Sequence, residues 1–256
     1  MIRVGVVGAG GRMGREVCRA VAVDPDFDLV AAVDPAAAGD PIEGVIVSGD
    51  IAALVDGSAE VAVDFTHASA VLDTIRWALA RGIHMVVGTT GIAPSGLEEI
   101  RVLADDGDAN VVVAPNFAIG AVLAMRFAEA AAKYMPAAEV IELHHDGKAD
   151  APSGTALATA RRIAAARSST PLAPAGDDEH PGARGTEVDG VRVHSVRLPG
   201  LVAHQEVILG GPGQILSIRH DSIDRTSFMP GVIMAIKAVG SRRGLTIGLD
   251  ALLDGS

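Results

Sequence analysis

The chain has 256 residues, room for one large domain or two modest ones, and 49% of them are hydrophobic, enough for a substantial core. Aromatics make up only 3%, so Val, Leu, Ile and Ala must do most of the packing. The net charge of −11 argues against a nucleic-acid or anionic membrane surface as partner, since both need a basic face. Cys18 is the one cysteine, which excludes an internal disulfide and fits a cytoplasmic protein.

Met1 to Val7 reads as a strand and not as a signal peptide. Ile2 to Val7 ends in glycines, and Arg12 to Val23 then shows helical spacing through Met13, Val17, Ala20 and Val21. Leu29 to Val33, Val61 to Phe65, His84 to Gly88 and Val111 to Ala114 are further short strands, with a helical stretch near Ala70 to Ala80. Runs that are continuously apolar suit a parallel sheet covered on both faces, and the alternation with helices points to a doubly wound α/β domain. Ala109 to Met125 is the longest uncharged window, but Pro115, Asn116 and Gly120 interrupt it. It reads as strand, turn and helix start, not as a membrane span.

The first turn carries Gly8-Ala9-Gly10-Gly11-Arg12-Met13-Gly14. Small residues there let the backbone approach a pyrophosphate, and the following helix directs its N–H groups at it. Asp34 closes the second strand, where an acidic residue receives the adenosine ribose hydroxyls. Its charge favours NADH over NADPH, and Pro35 brings no neutralising cation. Arg12 is either a compensating cation or a solvated residue of the first helical turn. Three more segments end first-half strands: Asp64-Phe65-Thr66-His67, Gly88-Thr89-Thr90-Gly91 and Ala114-Pro115-Asn116-Phe117. Together they suggest a cofactor cleft along one sheet edge.

The second half differs. Ala138 to Leu143, Val191 to Leu198, Val202 to Leu209 and Ile215 to His220 alternate like strands of a mostly antiparallel sheet, with Asp189-Gly190 as a turn. Ala128 to Ala132 looks like a helix face, Ser168 to Gly185 like a long loop, and Thr226 to Val239 like a helix. The densest chemistry lies in Glu142-Leu-His-His-Asp-Gly-Lys-Ala-Asp-Ala-Pro-Ser-Gly-Thr155. Adjacent strand side chains face opposite ways, so His144 and His145 are not expected to share a metal, and no metal site is expected. A histidine here suits acid–base work or substrate orientation. Lys148 is either a loop cation paired with Asp146 and Asp150 or a group that binds a carboxylate and donates a proton. Ser153, Gly154 and Thr155 open a helix whose free amides make an anion site, compatible with ordinary N-capping.

On these motifs, with Leu201 to Glu206 and Arg219 to Ser222 in addition, the chain resembles the dihydrodipicolinate reductases, also called 4-hydroxy-tetrahydrodipicolinate reductases, in their actinobacterial form. The resemblance runs from Val4 to about Gly248. It implies a Rossmann-type doubly wound parallel sheet formed by residues 1–117 and 227–256, with an inserted α+β domain, residues 118–226, that binds substrate and builds a homotetramer. It implies hydride transfer from NADH or NADPH to a cyclic imine dicarboxylate in lysine and diaminopimelate synthesis. It further implies His144 as proton donor and acceptor, Lys148 as proton donor, His145 as a substrate contact, and Gly154 and Thr155 as carboxylate ligands. An aldehyde dehydrogenase would need a nucleophilic cysteine, whereas Cys18 belongs to the first helix. A nucleotide sensor would have no use for the proton-donor cluster.

Overall fold

The continuously apolar runs of the first half become strands of a parallel sheet. The computed structural model describes residues 1–167, 180 and 182–253. In chain order its elements are β1 (Ile2–Val7), α1 (Arg12–Val23), β2 (Phe27–Val33), β3 (Pro41–Ile42), β4 (Val45–Ile46), α2 (Ala53–Asp56) and β5 (Val61–Asp64). Then follow α3 (Val71–Leu79), β6 (His84–Val87), α4 (Pro94–Asp106), β7 (Val111–Val113), α5 (Ile119–Ala132), β8 (Ala137–His144) and α6 (Gly154–Ala166). The last are β9 (Thr186–Val188), β10 (Val191–Arg197), β11 (Ala203–Gly211), β12 (Gln214–Ser222), α7 (Met229–Val239), β13 (Leu245–Ile247) and α8 (Asp250–Leu253). Most of the expected loop over Ser168 to Gly185 lies outside the described residues. The chain divides into two compact units, Met1–Phe117 with Phe228–Ser256, and Ala118–Ser227.

The first unit holds a six-stranded sheet in the order β13-β7-β6-β5-β1-β2, parallel throughout. The chain leaves β1 towards β2 and then returns to lay β5 on the other side of β1, so the order reverses between β1 and β5. Register aligns Val7 with Asp64, Asp64 with Val87, and Val87 with Val113. The loops after these residues therefore emerge in one row, at the edge where open α/β sheets bind ligands. Helices α1 and α7 pack together on one face, while α3 and α4 pack together with strands of the other. α3 buries Val71, Ile75, Ala78 and Leu79, the spacing of one helical stripe. α4 and β13 were not apparent from sequence. α4 buries only Gly96, Ile100 and Ala104, too small a stripe to register as a period. β13 has three residues, none of them fully buried.

The second unit is a five-stranded sheet, β12-β11-β8-β10-β9. It is mixed: β8 and β10 run parallel, and the other pairs antiparallel. The parallel pair follows from α6, which stands between those strands in sequence and makes the crossover that parallel strands require. Asp189 and Gly190, at φ 50° and 77°, form the tight turn from β9 into β10, which suits the positive φ of a two-residue hairpin. The core is aliphatic and small: Ala128 and Ala132 of α5 and Ala156, Ala160 and Ile163 of α6 pack on Val140, Val193, Val207 and Leu209. In the expected helix over Thr226 to Val239, a 3₁₀ turn takes Arg225–Phe228 and α7 begins at Met229, with Pro230 in its first turn. Among the described residues no helix is long and apolar enough to cross a membrane.

Candidate active site

In the first unit the strand ends surround a cavity of about 910 Å³, lined among others by Gly8, Gly11, Asp34, Phe65, Thr66 and Trp77. Gly8 sits at φ +81°, and a Cβ on it would stand 2.6 Å from the Phe65 carbonyl oxygen. Only glycine fits that approach. Gly14 is also forced, because its Cβ would lie 2.0 Å from the Gly8 carbonyl oxygen. The amides of Gly8 and Ala9 donate to Val33 O, and that of Gly11 to Gly8 O. What the turn offers an anion is therefore the start of α1, where Gly11 is the N-cap and no side chain caps the helix. Its first amides belong to Arg12 and Met13. Arg12 is exposed.

Asp34 is fixed from two sides. Its Oδ2 accepts from the Gly10 amide at 2.9 Å, and its Oδ1 from the Ala36 amide at 2.9 Å. The carboxylate is thereby held beside the glycine turn, as a ribose ligand must be. These features fit a dinucleotide: a glycine-tight turn, an open helix start, a fixed acid and a cavity large enough for a nucleotide.

The three strand-end segments converge. Asp64, fully buried, accepts at Oδ1 from the Thr66 amide (3.0 Å), the Thr66 hydroxyl (2.7 Å) and the Thr89 hydroxyl (2.7 Å). Burial pushes its pKa up, against the pull of these hydroxyls. Gly88 accommodates the Phe65 ring, which a Cβ would meet at 2.1 Å. Phe65 in turn stands 5.8 Å, centroid to centroid, from Phe117. Thr89 directs its hydroxyl at Asp64 and is 6% exposed, so it can present a ligand only with its backbone. Thr90 and Pro115 are exposed, Asn116 half-buried and Ala114 buried. Asp64 as the tie between two loops was missed from sequence, where it reads as an ordinary strand end.

In the second unit, β8 delivers the motif. Glu142 and His144 are two apart on one strand and so share a face. Glu142 has no exposed surface. Its Oε2 bonds to His144 Nδ1, and Arg197 grips it with both terminal nitrogens at 3.0 and 2.8 Å. The Ser153 amide donates to its Oε1 at 3.3 Å. Burial would raise the Glu142 pKa, but hydrogen bonds from Arg197, Ser195 and His144 outweigh it and hold the group below the usual carboxylate range. Burial lowers the pKa of His144, and Lys148 and Arg197 add to this against the upward pull of Glu142. Folding therefore favours the uncharged form of the His144 imidazole. Lys148 reaches Asp150 at 2.7 and 2.9 Å, one of the two acids expected beside it. Its own amide donates to His145 O, closing a turn.

Ser153 is buried and caps α6, its hydroxyl accepting from the Ala156 amide at 3.2 Å. The helix opens at Gly154 and Thr155. Nothing lies within 4 Å of where a Gly154 Cβ would stand, so the helix start faces open space. Thr155 is held from within the helix, its carbonyl accepting from the Thr159 hydroxyl at 2.8 Å. Among the described residues no group of three or more His, Cys, Asp or Glu side chains could hold a metal ion. Arg197 escaped the sequence reading because it enters through β10, whose parallel register sets it opposite His144. Nothing local in the chain signals that pairing. Glu142 could have been found from its i, i+2 relation to His144.

Two family models match: "Dihydrodipicolinate reductase, N-terminus" over residues 2–117 and "Dihydrodipicolinate reductase, C-terminus" over residues 120–253. A 4-hydroxy-tetrahydrodipicolinate reductase of Nocardia farcinica is 52% identical over 257 residues, covering 99% of both chains. One of Mycolicibacterium vanbaalenii is 53% identical over 255 residues, again covering 99% of each. Among solved structures, the dipicolinate-bound dihydrodipicolinate reductase of Paenisporosarcina sp. TG-14 superposes with a TM-score of 0.86 at 41% identity, covering 98% of this chain and 99% of that one. An amine dehydrogenase of Mycobacterium smegmatis, TM-score 0.67 at 15% identity, shares the fold alone. With the two family models matching residues 2–117 and 120–253, and full-length relatives above 50% identity, the chain belongs to the dihydrodipicolinate reductase family.

Proposed function

We propose that this chain reduces 4-hydroxy-tetrahydrodipicolinate (dihydrodipicolinate) to tetrahydrodipicolinate in lysine and diaminopimelate biosynthesis, with NADH or NADPH as reductant. The observation that carries the reading is the grouping in one unit of the His144 imidazole, the Lys148 amine and the start of α6, where nothing crowds Gly154. A cyclic imine dicarboxylate needs two anion sites and a proton for its ring nitrogen. Gly154 and Thr155 bind one carboxylate through amides and hydroxyl. Lys148 and His145 receive the other, and an arriving carboxylate competes with Asp150 for the ammonium. Ser153 supports this site as the cap of α6. Lys148 and His144 manage the proton, which makes the adjacent ring carbon a better hydride acceptor. Reduced nicotinamide supplies the hydride.

Gly8 to Met13, Asp34, Phe65, Gly88 to Thr90 and Ala114 to Phe117 are the residues that hold the dinucleotide. Residues 1–117 and 227–256 thus act as the dinucleotide-binding domain, and residues 118–226 as the substrate domain. The same sheet builds a homotetramer: opposite its helix-covered side it carries Ile141, Leu143, Val196 and Ile208, all partly exposed. The enzyme works in the cytoplasm.

The test is loss of nicotinamide absorbance with freshly generated synthase product. Wild-type protein consumes NADH only when that product is present. Lys148→Ala and His144→Ala each lower turnover on the order of 10²-fold or more while NADH binding, followed by fluorescence, persists. Full activity in the double variant would refute these roles.

A further inference from the structure

Beyond the residues that meet substrate, one side chain stands behind them. Glu142 is an ionised carboxylate with no exposed surface, in the central strand of its sheet. Such a group costs several kcal/mol unless every oxygen is met, and here both are. Arg197 closes a two-pronged grip on it from β10 and with Nη2 also donates to Asp150 O at 2.6 Å. The guanidinium thus ties the carboxylate to the loop that carries Lys148. A well-packed apolar pair of similar volume would stabilise the sheet as well, so folding alone does not require this arrangement. What the carboxylate does reach is His144 Nδ1.

We propose that Glu142, locked by Arg197, is the positioning residue of this active site. It fixes His144 as the tautomer that carries its hydrogen on Nδ1 and leaves the Nε2 lone pair for the substrate pocket. An acceptor carboxylate on one ring nitrogen dictates where the proton sits and which nitrogen is left to react. His144 therefore enters the cycle as a base or hydrogen-bond acceptor at Nε2, and the ammonium of Lys148 brings the proton that the ring nitrogen takes. This rests on the reaction proposed above.

Imidazole ¹⁵N shifts of histidine-labelled wild-type protein, with His144→Ala for assignment, read the tautomer directly at neutral pH. The expected result is a protonated Nδ1 and a bare Nε2. A protonated Nε2, or an imidazolium, overturns the proposal even if no variant folds. Glu142→Leu with Arg197→Met removes the acceptor and its lock together. This pair should lower kcat on the order of 10²-fold with little change in KM and give mixed tautomer signals. Glu142→Gln, which keeps Arg197 and its bond to Asp150 O, should cost nothing further when added to His144→Ala, because the carboxylate acts through that ring. Additive losses would show a merely structural part and overturn the assignment. Should wild-type protein fail to consume the substrate, the function falls while the tautomer is still read. Should it turn over with the opposite tautomer, this inference alone falls.

Discussion

Asp64 is a buried carboxylate whose donors gather at Oδ1, while its buried Oδ2 meets no hydrogen-bond partner among the described residues. Thr66 and Thr89 come from two different loops, and both hydroxyls converge on one oxygen. Thr89→Val keeps the shape and deletes one donor. It should destabilise the protein by about 1–3 kcal/mol, read from urea unfolding, and weaken NADH binding as the Gly88-Thr89-Thr90 loop loosens. Asp34 offers a test of charge. Both oxygens are already occupied by amides, so the carboxylate cannot swing away from an added phosphate. Asp34→Asn should raise the ratio of kcat/KM for NADPH over NADH about tenfold, a change of about 1.4 kcal/mol. A strong NADPH preference in the unaltered protein would contradict the charge argument.

At the level of elements, strand ends in register and glycines at their exits make the cleft. Gly88→Ala sets a methyl group into the Phe65 ring, which rests against Phe117 and must shift to make room. Dinucleotide affinity should fall at least tenfold while the far-ultraviolet dichroism is kept, a pairing that separates local displacement from unfolding. In the second sheet, Ile163→Ala opens a void under α6 and should cost about 2–5 kcal/mol, measured by thermal denaturation. The same elements show what was readable beforehand. The glycine turn, Asp34 and the run from Glu142 to Thr155 were legible because their geometry is local: tight turns, strand ends and a helix start. Arg197 as partner of Glu142 and Thr89 as partner of Asp64 were not, because β10 reaches β8, and the β6 loop reaches the β5 loop, only through sheet pairing. β13 and α4 stayed hidden because a three-residue strand and a stripe of Gly96, Ile100 and Ala104 are too slight to show a period.

For the molecule as a whole, pH acts on stability through histidines whose protonation burial disfavours. Burial lowers the pKa of His84, His144 and His220 below the ordinary 6.5. Unfolded chains take up these protons as pH falls through 6.5, and the folded chain does so only at lower pH. Stability is therefore full above 6.5 and declines below it. The urea midpoint should be flat from pH 8 to 7 and lower at pH 5.5. A second decline begins under about pH 4.5, where unfolded glutamate protonates before Glu142 does. A flat midpoint down to pH 5 would contradict the burial of these rings.

The first sheet is completed by β13, which the ribosome makes only after the entire second unit. Until then β7 is a bare rim, three valines with unpaired backbone groups along one side. The nascent protein must keep that rim from strangers while more than a hundred residues emerge and fold. Any change that delays arrival of the last strand should show first as aggregation during synthesis, before it shows as lost catalysis.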